Sequence, residues 1–326
     1  IEKIFELSNF KLSLSNLRVD NKFGVFEIGM SKAGEIKKLS RLIKPEIAII
    51  TNIGEAHIEN FKFLKDIAKA KAEIIENIQK RGILILNRDD KYFDFLKKIA
   101  IKKNIKVLNF GFSSKSDFSI KKIGLNKIKI KYFKKHIILK DINLNNLSKL
   151  NLLCCLSVLH ALKLDINQIR SFVNFFKPLA GRGKIYKIKR YNKIFNLVDE
   201  SYNSNPSSVK QVINNLDYLN NNSKKYIILG DMLELGNKSE FYHKSLSTIL
   251  NKSKINKVFV YGKNVMTTYK NLLKKKRGNV IQNKGDIDVV LNNIIDNNDY
   301  LIIKGSNATG LQNFSYSLRK ELQNVI

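Results

Sequence analysis

Ile194-Phe195-Asn196-Leu197-Val198-Asp199-Glu200-Ser201-Tyr202-Asn203-Ser204-Asn205-Pro206 holds the key to the fold in thirteen residues. The apolar run 194–198 reads as a strand buried on both faces. Two carboxylates end it, and a dense Asx/Ser loop follows. Asn205 is placed to cap a helix, with Pro206 at the first helical position, where its missing N–H goes unnoticed. Strand, polar loop and helix in that order are the first half of a parallel βαβ unit.

The rhythm repeats downstream. Strands are expected at 225–229, 257–261, 278–281 and 300–303, with helices between them and after Thr309. This predicts a Rossmann-like domain of about 140 residues. Its other strand-end loops are Gly230-Asp231-Met232-Leu233-Glu234-Leu235-Gly236 and Lys304-Gly305-Ser306-Asn307. Glycines there let backbone approach a ligand.

Upstream, strands are expected at Phe23–Ile28, Ile47–Thr51 and Ile83–Leu86, each ending in polar residues. Residues 106–142 read as short alternating strands, a smaller β excursion, followed by helices at 148–163 and near 166–176. Pro178 and Gly181-Arg182-Gly183 break the chain, so the boundary is placed there: one α/β domain over 1–180 and a second over 181–326. At roughly 150 residues per domain, two domains also suit the length.

Lys and Arg total 59 against 28 Asp and Glu, a formal charge of +31. A nucleic-acid reading follows from charge alone, but the lysines are spread evenly among asparagines and isoleucines, as on solvated surfaces. Such a field favours nucleotides and other anionic small molecules. The adjacent Cys154 and Cys155 read as buried free thiols of a reducing compartment. The apolar stretch Leu152–Leu164 is too short to span a bilayer, and no signal peptide is visible. The chain opens on Ile1 rather than Met, and the start of the protein is expected upstream.

Several residues are candidates for chemistry. Glu27 ends one expected strand and His57 follows the next, so a carboxylate and an imidazole could converge on a divalent cation; a hydrogen-bonded loop histidine is the plainer alternative. On an expected helix from Leu64 to Ile78, Lys71 falls among Leu64, Ile67, Ile74, Ile75 and Ile78. It either snorkels its amine to an edge or serves a site, where an added carboxyl group could hold a cation. Asp199 and Glu200 could accept hydrogen bonds from a ribose. No G-x-x-x-x-G-K-[ST] loop exists in these residues; Gly111-Phe112-Ser113-Ser114-Lys115-Ser116 imitates one only superficially. Neither G-x-G-x-x-G, zinc spacing nor a serine-hydrolase elbow is present.

In order, FEIGMSKAGEI (26–36), TNIGEAHIENF (51–61), AKAKAEII (68–75), LNRDD (86–90), GRG (181–183), DESYNSNPSSV (199–209), LGDMLELG (229–236) with His243 after it, and KGSN (304–307) resemble the Mur ligase family. The resemblance runs from about residue 23 to the C-terminal helix. It implies a central ATPase domain, here without its phosphate-loop start, followed by a Rossmann-like C-terminal domain. The family's UDP-sugar domain has no counterpart in these residues.

The resemblance also implies roles. Glu27, His57 and a carbamylated Lys71 would hold magnesium. Asn151 would approach the adenine of ATP, although Asn145 and Leu147 stand where the family has glycine and histidine. Arg182 would meet the terminal phosphate, and Glu200 and Asp199 the ribose. Asn203, Asn205 and the loop Lys304, Gly305, Ser306, Asn307 would face the closing active site and the amine substrate. The implied reaction is ATP-dependent: the carboxylate of a UDP-linked muramoyl tripeptide takes the γ-phosphate to form an acyl phosphate, and D-alanyl-D-alanine displaces phosphate to form the amide. Magnesium and cations would neutralise the approaching negative charges. Lacking a phosphate loop, these residues alone are expected to turn over little or not at all. The remaining expectations are a cytoplasmic monomer acting on small molecules, without nucleic acid or membrane insertion. The alternatives are a folylpolyglutamate synthetase-like ligase and a non-catalytic binding module.

Overall fold

The computed structural model describes residues 17–320 apart from 125, 141–143, 174–177, 215, 217, 218 and 221. Residues 1–16, the tail of the expected strand region at 141–142 and the far end of the expected 166–176 helix lie outside the described residues. Two six-stranded sheets organise the rest.

The first sheet runs β1 (Ile47–Ile50), β2 (Ile83–Asn87), β3 (Lys106–Gly111), β4 (Phe118–Gly124), β5 (Lys127–Tyr132) and β6 (Lys135–Lys140), in spatial order. β1 to β4 are parallel, and β4, β5 and β6 form an antiparallel meander. The short alternating strands expected over 106–142 form the far half of the main sheet. β3 leaves an edge open, and Phe110 and Gly111 pair with Phe118 and Ser119 to extend it. Helices α1 (Glu35–Ile43), α2 (Leu64–Ala72), α3 (Phe93–Lys102) and α4 (Asn146–Ala161) cover the sheet. From α4, Leu152, Leu153 and Leu156 bury against Phe110, Phe118 and Ile130.

Three expectations change here. Residues 23–30 form no strand, and Phe23 and Val25 stay exposed. Among the described residues no neighbouring strand completes a ladder with them, and unpaired extended backbone is not held as a strand. The helix expected over Leu64–Ile78 stops at Ala72 and tightens into a 3-10 turn, Glu73–Asn77. There the Glu73 carboxylate accepts from Gly34 N (2.7 Å) and Lys37 N (3.1 Å) at the start of α1, satisfying helix-end donors. Cys154 is buried as expected but Cys155 is exposed, because neighbours on a helix point about 100° apart.

The second sheet comprises β7 (Lys184–Arg190), β8 (Lys193–Glu200), β9 (Lys225–Gly230), β10 (Lys257–Tyr261), β11 (Arg277–Ile281) and β12 (Tyr300–Lys304), in the order β11-β10-β9-β12-β8-β7. All pairings are parallel except β7 with β8. β7 was not expected. Its alternating Lys184-Ile185-Tyr186-Lys187-Ile188-Lys189 pattern makes a charged edge strand, and Tyr191 and Asn192, both at φ 56, turn it tightly into β8. α5 (Ile169–Phe172) lies between the sheets in sequence; α6 (Pro206–Asn214), α7 (Ser239–Lys252), α8 (Met266–Lys270), α9 (Lys284–Ile294) and α10 (Leu311–Lys320) follow. Asn205 Oδ1 accepts from Ser208 N at 2.8 Å, so it caps α6 with Pro206 first in the helix, as read from the sequence.

One face of this sheet buries Phe195, Leu197, Ile228, Leu301 and Ile303 under α9 and α10. The other, with Val198, Ile227, Leu229 and Ile302, shares a continuous apolar core with Ile58, Phe61 and Ile67 of the first lobe.

Candidate functional site between the lobes

Three of the quoted motifs end on three adjacent strands. β12 lies between β8 and β9, and its register sets Lys304 beside Glu200 on one side and Leu229 on the other. The loops 200–206, 230–236 and 304–307 therefore leave the sheet together at its carboxyl edge, where open α/β sheets bind ligands. The approach is close: a Cβ on Gly305 would stand 3.3 Å from Gly230 Cα.

Lys304 is only 2 % exposed. Its ammonium donates to Asn203 O (2.5 Å) and Glu200 O (3.4 Å), holding the loop below it. Burial pulls its pKa down to about 8, against the opposing pull of Glu200. The Glu200 carboxyl is pushed up by burial, and Lys304 counters that rise. Ser306 stitches the loops together: its hydroxyl accepts from Leu233 N (2.9 Å) and donates to Ser204 O (3.2 Å), while Ser306 N donates to Asp231 O (3.0 Å). The expected ligand contacts Lys304, Gly305 and Ser306 are thus buried and committed to these loops, and only Asn307 is exposed. The reason is their place at the end of a central strand. Asn203 is exposed, with its side chain accepting from Ser204 N (2.7 Å).

The paired carboxylates of β8 separate. Asp199 is fully buried and accepts from Gly181 N (2.8 Å) and Ser201 Oγ (2.6 Å), with Arg319 3.5 Å away. Asp199 is a structural anchor for the Gly181–Gly183 turn, not a group open to a ribose, because alternate strand residues face opposite ways. Glu200 faces the lobe junction. A Cβ on Gly183 (φ +92) would meet Glu200 Oε1 at 2.9 Å and Asn145 Nδ2 at 3.5 Å, so glycine is needed there on two counts. Asn145, from the first lobe, caps α4 by accepting from Ser148 N at 2.8 Å. Arg182 lies over the Tyr202 ring, 4.2 Å from its centre, and both are exposed. Asn151 is on the exposed side of α4.

In the first lobe, Glu27 is exposed on the irregular segment 23–30. His57 adopts a left-handed backbone (φ 57), and its Nδ1 lies 2.7 Å from Glu234 Oε2 of the second lobe. Lys71 donates to Asn52 O at 2.9 Å; burial lowers its pKa, and Asp90 opposes that. Asp90 accepts from Ile53 N (2.7 Å) and Tyr92 N (2.8 Å). No hydrogen bond or ion pair among the described residues joins Glu27, His57 and Lys71, and no group of three His, Cys, Asp or Glu there could hold a metal. Asp89 occupies the amides of Phe112 (2.5 Å) and Ser113 (3.2 Å), so the 111–116 loop cannot cradle a phosphate with them. Glu234, Asp90, Asn145 and Tyr202 were missed as participants. All but Asn145 sit inside quoted motifs, but their partners come from distant segments.

His243 is buried, and the hydrogen bonding fixes its tautomer: Nε2 accepts from Met232 N (3.1 Å) while Nδ1–H donates to Ser239 O (2.9 Å). It pins the 230–236 loop to α7. Burial lowers its pKa, partly offset by Ser239 and Asp231.

A two-lobed α/β protein with three strand-end loops gathered at the carboxyl edge of the second sheet, against the first lobe, is the class these features define. Residues 5–161 match the Mur ligase middle domain, and 185–307 match the domain described as Mur ligase, glutamate ligase domain. A UDP-N-acetylmuramoyl-tripeptide–D-alanyl-D-alanine ligase of Buchnera aphidicola subsp. Acyrthosiphon pisum is 31% identical over 330 residues, covering 95% of this chain and 68% of that protein. Its Rickettsia prowazekii counterpart is 29% identical over 309 residues, covering 92% and 67%. Among solved structures, MurF from Acinetobacter baumannii superposes with a TM-score of 0.83 at 21% identity, covering 95% of this chain and 68% of that one. MurF from Thermotoga maritima in complex with ADP gives 0.76 at 24% identity, covering 92% and 70%. The chain belongs to the Mur ligase family, and it spans about two thirds of the length of these relatives.

Proposed function

We propose that this chain provides the nucleotide- and amine-handling lobes of an ATP-dependent ligase that joins D-alanyl-D-alanine to a UDP-N-acetylmuramoyl tripeptide in peptidoglycan precursor synthesis. The observation that supports it best is the convergence of Glu200, Arg182 and the three motif loops at one sheet edge, in a chain whose curated relatives carry that name.

In this reading Arg182 swings from the Tyr202 ring to the terminal phosphate of ATP, and Glu200 accepts from the ribose. Asn203, Asn205 and Asn307 line the approach of the amine. Lys304 and Ser306 hold their loops in place and exclude water beneath them, which matters because an acyl phosphate hydrolyses readily. Magnesium is bound by one or two carboxylates together with phosphate oxygens and water rather than by an all-protein cage. A sparse donor set of Glu27, His57 and a carboxylated Lys71 fits that habit, since burial favours the neutral amine that carbon dioxide can attack. When bound, the ion would neutralise the phosphate charge. The enzyme would work in the cytoplasm.

The test is product analysis on the full product of the gene, with ATP, the tripeptide and either D-alanyl-D-alanine or L-glutamate. ADP and the D-alanyl-D-alanine adduct are expected. Glutamate addition to a folate supplied in place of the tripeptide, with no D-alanyl-D-alanine adduct, would transfer the assignment to the folylpolyglutamate type, and nucleotide binding without any adduct would leave a binding module.

A further inference from the structure

The meander β4–β6 of the first lobe carries a charge pattern that the strand-end loops do not use. Residues 118–140 hold eight lysines and no aspartate or glutamate. Strand alternation sorts their side chains between two faces. Ile120, Ile128, Ile130, Ile137 and Leu139 point inward and are buried with Leu152 and Leu156 of α4. Lys121, Lys127, Lys129, Lys131, His136 and Lys140 therefore share the outward face, and all but the half-buried Lys127 are exposed.

The register sets like charges against one another. Lys121 pairs with Lys129 across β4 and β5, and Lys127 pairs with Lys140 across β5 and β6. Like charges directly opposite on one sheet face repel. Asp117, the carboxylate just before β4, is committed elsewhere, accepting from Asn109 N at 2.9 Å. Lys131 donates to Ser114 O at 3.3 Å, a neutral partner that leaves its charge uncompensated. At the β6 edge the Arg170 guanidinium donates to Ile138 O at 3.3 Å. Lys127, Lys140 and Arg170 thereby rim a concavity of about 420 Å3 whose remaining lining is Ile138, Leu139 and Val173.

Cations around an aliphatic lining fit a partner whose negative charges cover an apolar layer. We propose that the outward face of β4–β6 docks on an anionic phospholipid bilayer, with lipid phosphates meeting the lysines and one headgroup seated among Lys127, Lys140 and Arg170. Ile123, exposed near the end of β4, adds an aliphatic contact. Lysine ammoniums act as point charges, and a cluster of them holds a protein to an anionic leaflet without spanning it. No helix among the described residues is long and apolar enough to cross a membrane. A nucleic acid fits this face less well. Phe118 and Tyr132 stack on the inward side, 6.3 Å between ring centres, so the outward face offers no Phe, Tyr or Trp among the described residues on which bases could stack. None of these residues belongs to the loops gathered on the second sheet, so the proposal does not rest on the ligase reading.

Vesicle co-sedimentation of the full product of the gene tests it, with phosphatidylcholine vesicles alone or mixed with phosphatidylglycerol. Binding is expected only where phosphatidylglycerol is present, and it should weaken as salt rises. The triple variant Lys121→Gln, Lys127→Gln, Lys129→Gln should bind at least about tenfold more weakly, since each lysine near an anionic leaflet adds to the attraction. It should melt no lower than the wild type, because repulsion across β5 is relieved. Lys244→Gln, Lys274→Gln, Lys275→Gln makes the same charge change on exposed lysines of the second lobe and should bind as the wild type does. The single variant Lys129→Gln should also bind more weakly, a check that does not depend on how the triple variant folds. Absence of binding to phosphatidylglycerol vesicles, or an equal loss in both triple variants, would overturn the proposal. Tighter binding to poly(U) than to the vesicles through the same lysines would overturn it too and make the face a nucleic-acid surface.

Discussion

Lys304 stands beside Glu200 in the β12–β8 register, yet its ammonium is spent on the carbonyls of Glu200 and Asn203. A residue that looks like a ligand contact in the KGSN motif is in fact the support beneath the DESYNSNP loop. An amine this deeply buried is charged at a cost, which is why its pKa falls to about 8.

That cost should be visible as a pH dependence. A lysine with a lowered folded pKa releases a proton on folding, so its contribution rises with pH from about 8 to the unfolded lysine range. Urea unfolding of wild type and Lys304→Met across about pH 7.5 to 10.5 should show the wild type gaining relative to the variant as pH increases. At about 1.4 kcal/mol per pKa unit the gain is roughly 3 kcal/mol in total. A flat difference, or one favouring the variant at high pH, would contradict the burial account.

The neighbouring carboxylates make opposite predictions. Asp199→Ala removes the acceptor for Gly181 N and Ser201 Oγ and leaves Arg319 without its carboxylate in a largely buried setting. Breaking such a pair costs about 3–5 kcal/mol. Glu200→Ala, half-buried at the junction, should cost about 1 kcal/mol or less but weaken ADP binding measured by calorimetry. If Glu200→Ala proved the more destabilising, the two roles would be reversed.

The sequence made the second sheet legible almost strand by strand, because β8, β9, β10 and β12 are continuous apolar runs between turn residues. β7 escaped notice because an edge strand alternates lysine with isoleucine and looks like surface. Phe23–Ile28 misled for the converse reason: apolar content suggests a strand, but among the described residues no partner strand pairs with it. At the site, motif order located the loops, while Asp199, Lys304 and Ser306 were misassigned from outside to inside. Nothing local in a strand-end motif says which residue faces solvent and which holds the neighbouring loop. The Glu234–His57 and Glu55–Ser207 pairs are long-range and have no signature in either segment alone.

Lys71 gives a chemical prediction. Its amine is shielded, bonded to Asn52 O, and shifted toward neutrality by burial, so it should react with carbon dioxide more readily than the exposed lysines. In carbon-13 bicarbonate a carbamate resonance should appear that Lys71→Ala abolishes and Lys69→Ala leaves intact. A resonance surviving Lys71→Ala would assign the carbamate elsewhere and remove the oxygen donor proposed for magnesium.

His243 should make the protein acid-sensitive. Its neutral form alone can accept from Met232 N through Nε2 while donating from Nδ1 to Ser239 O. Its folded pKa lies below the unfolded value, so the unfolded chain takes up the proton first as pH drops. The stabilisation is therefore complete above about pH 6.5 and lost as pH falls through the lower folded value. At pH 8, His243→Ala should cost about 1–3 kcal/mol for the unpaired Met232 amide, with a cavity term in addition. The gap between wild type and His243→Ala, read from urea midpoints, should narrow on moving from pH 8 to pH 5. A gap that stays constant would mean that the imidazole titrates in the folded protein without losing its contact, and that the 230–236 loop is held by other groups.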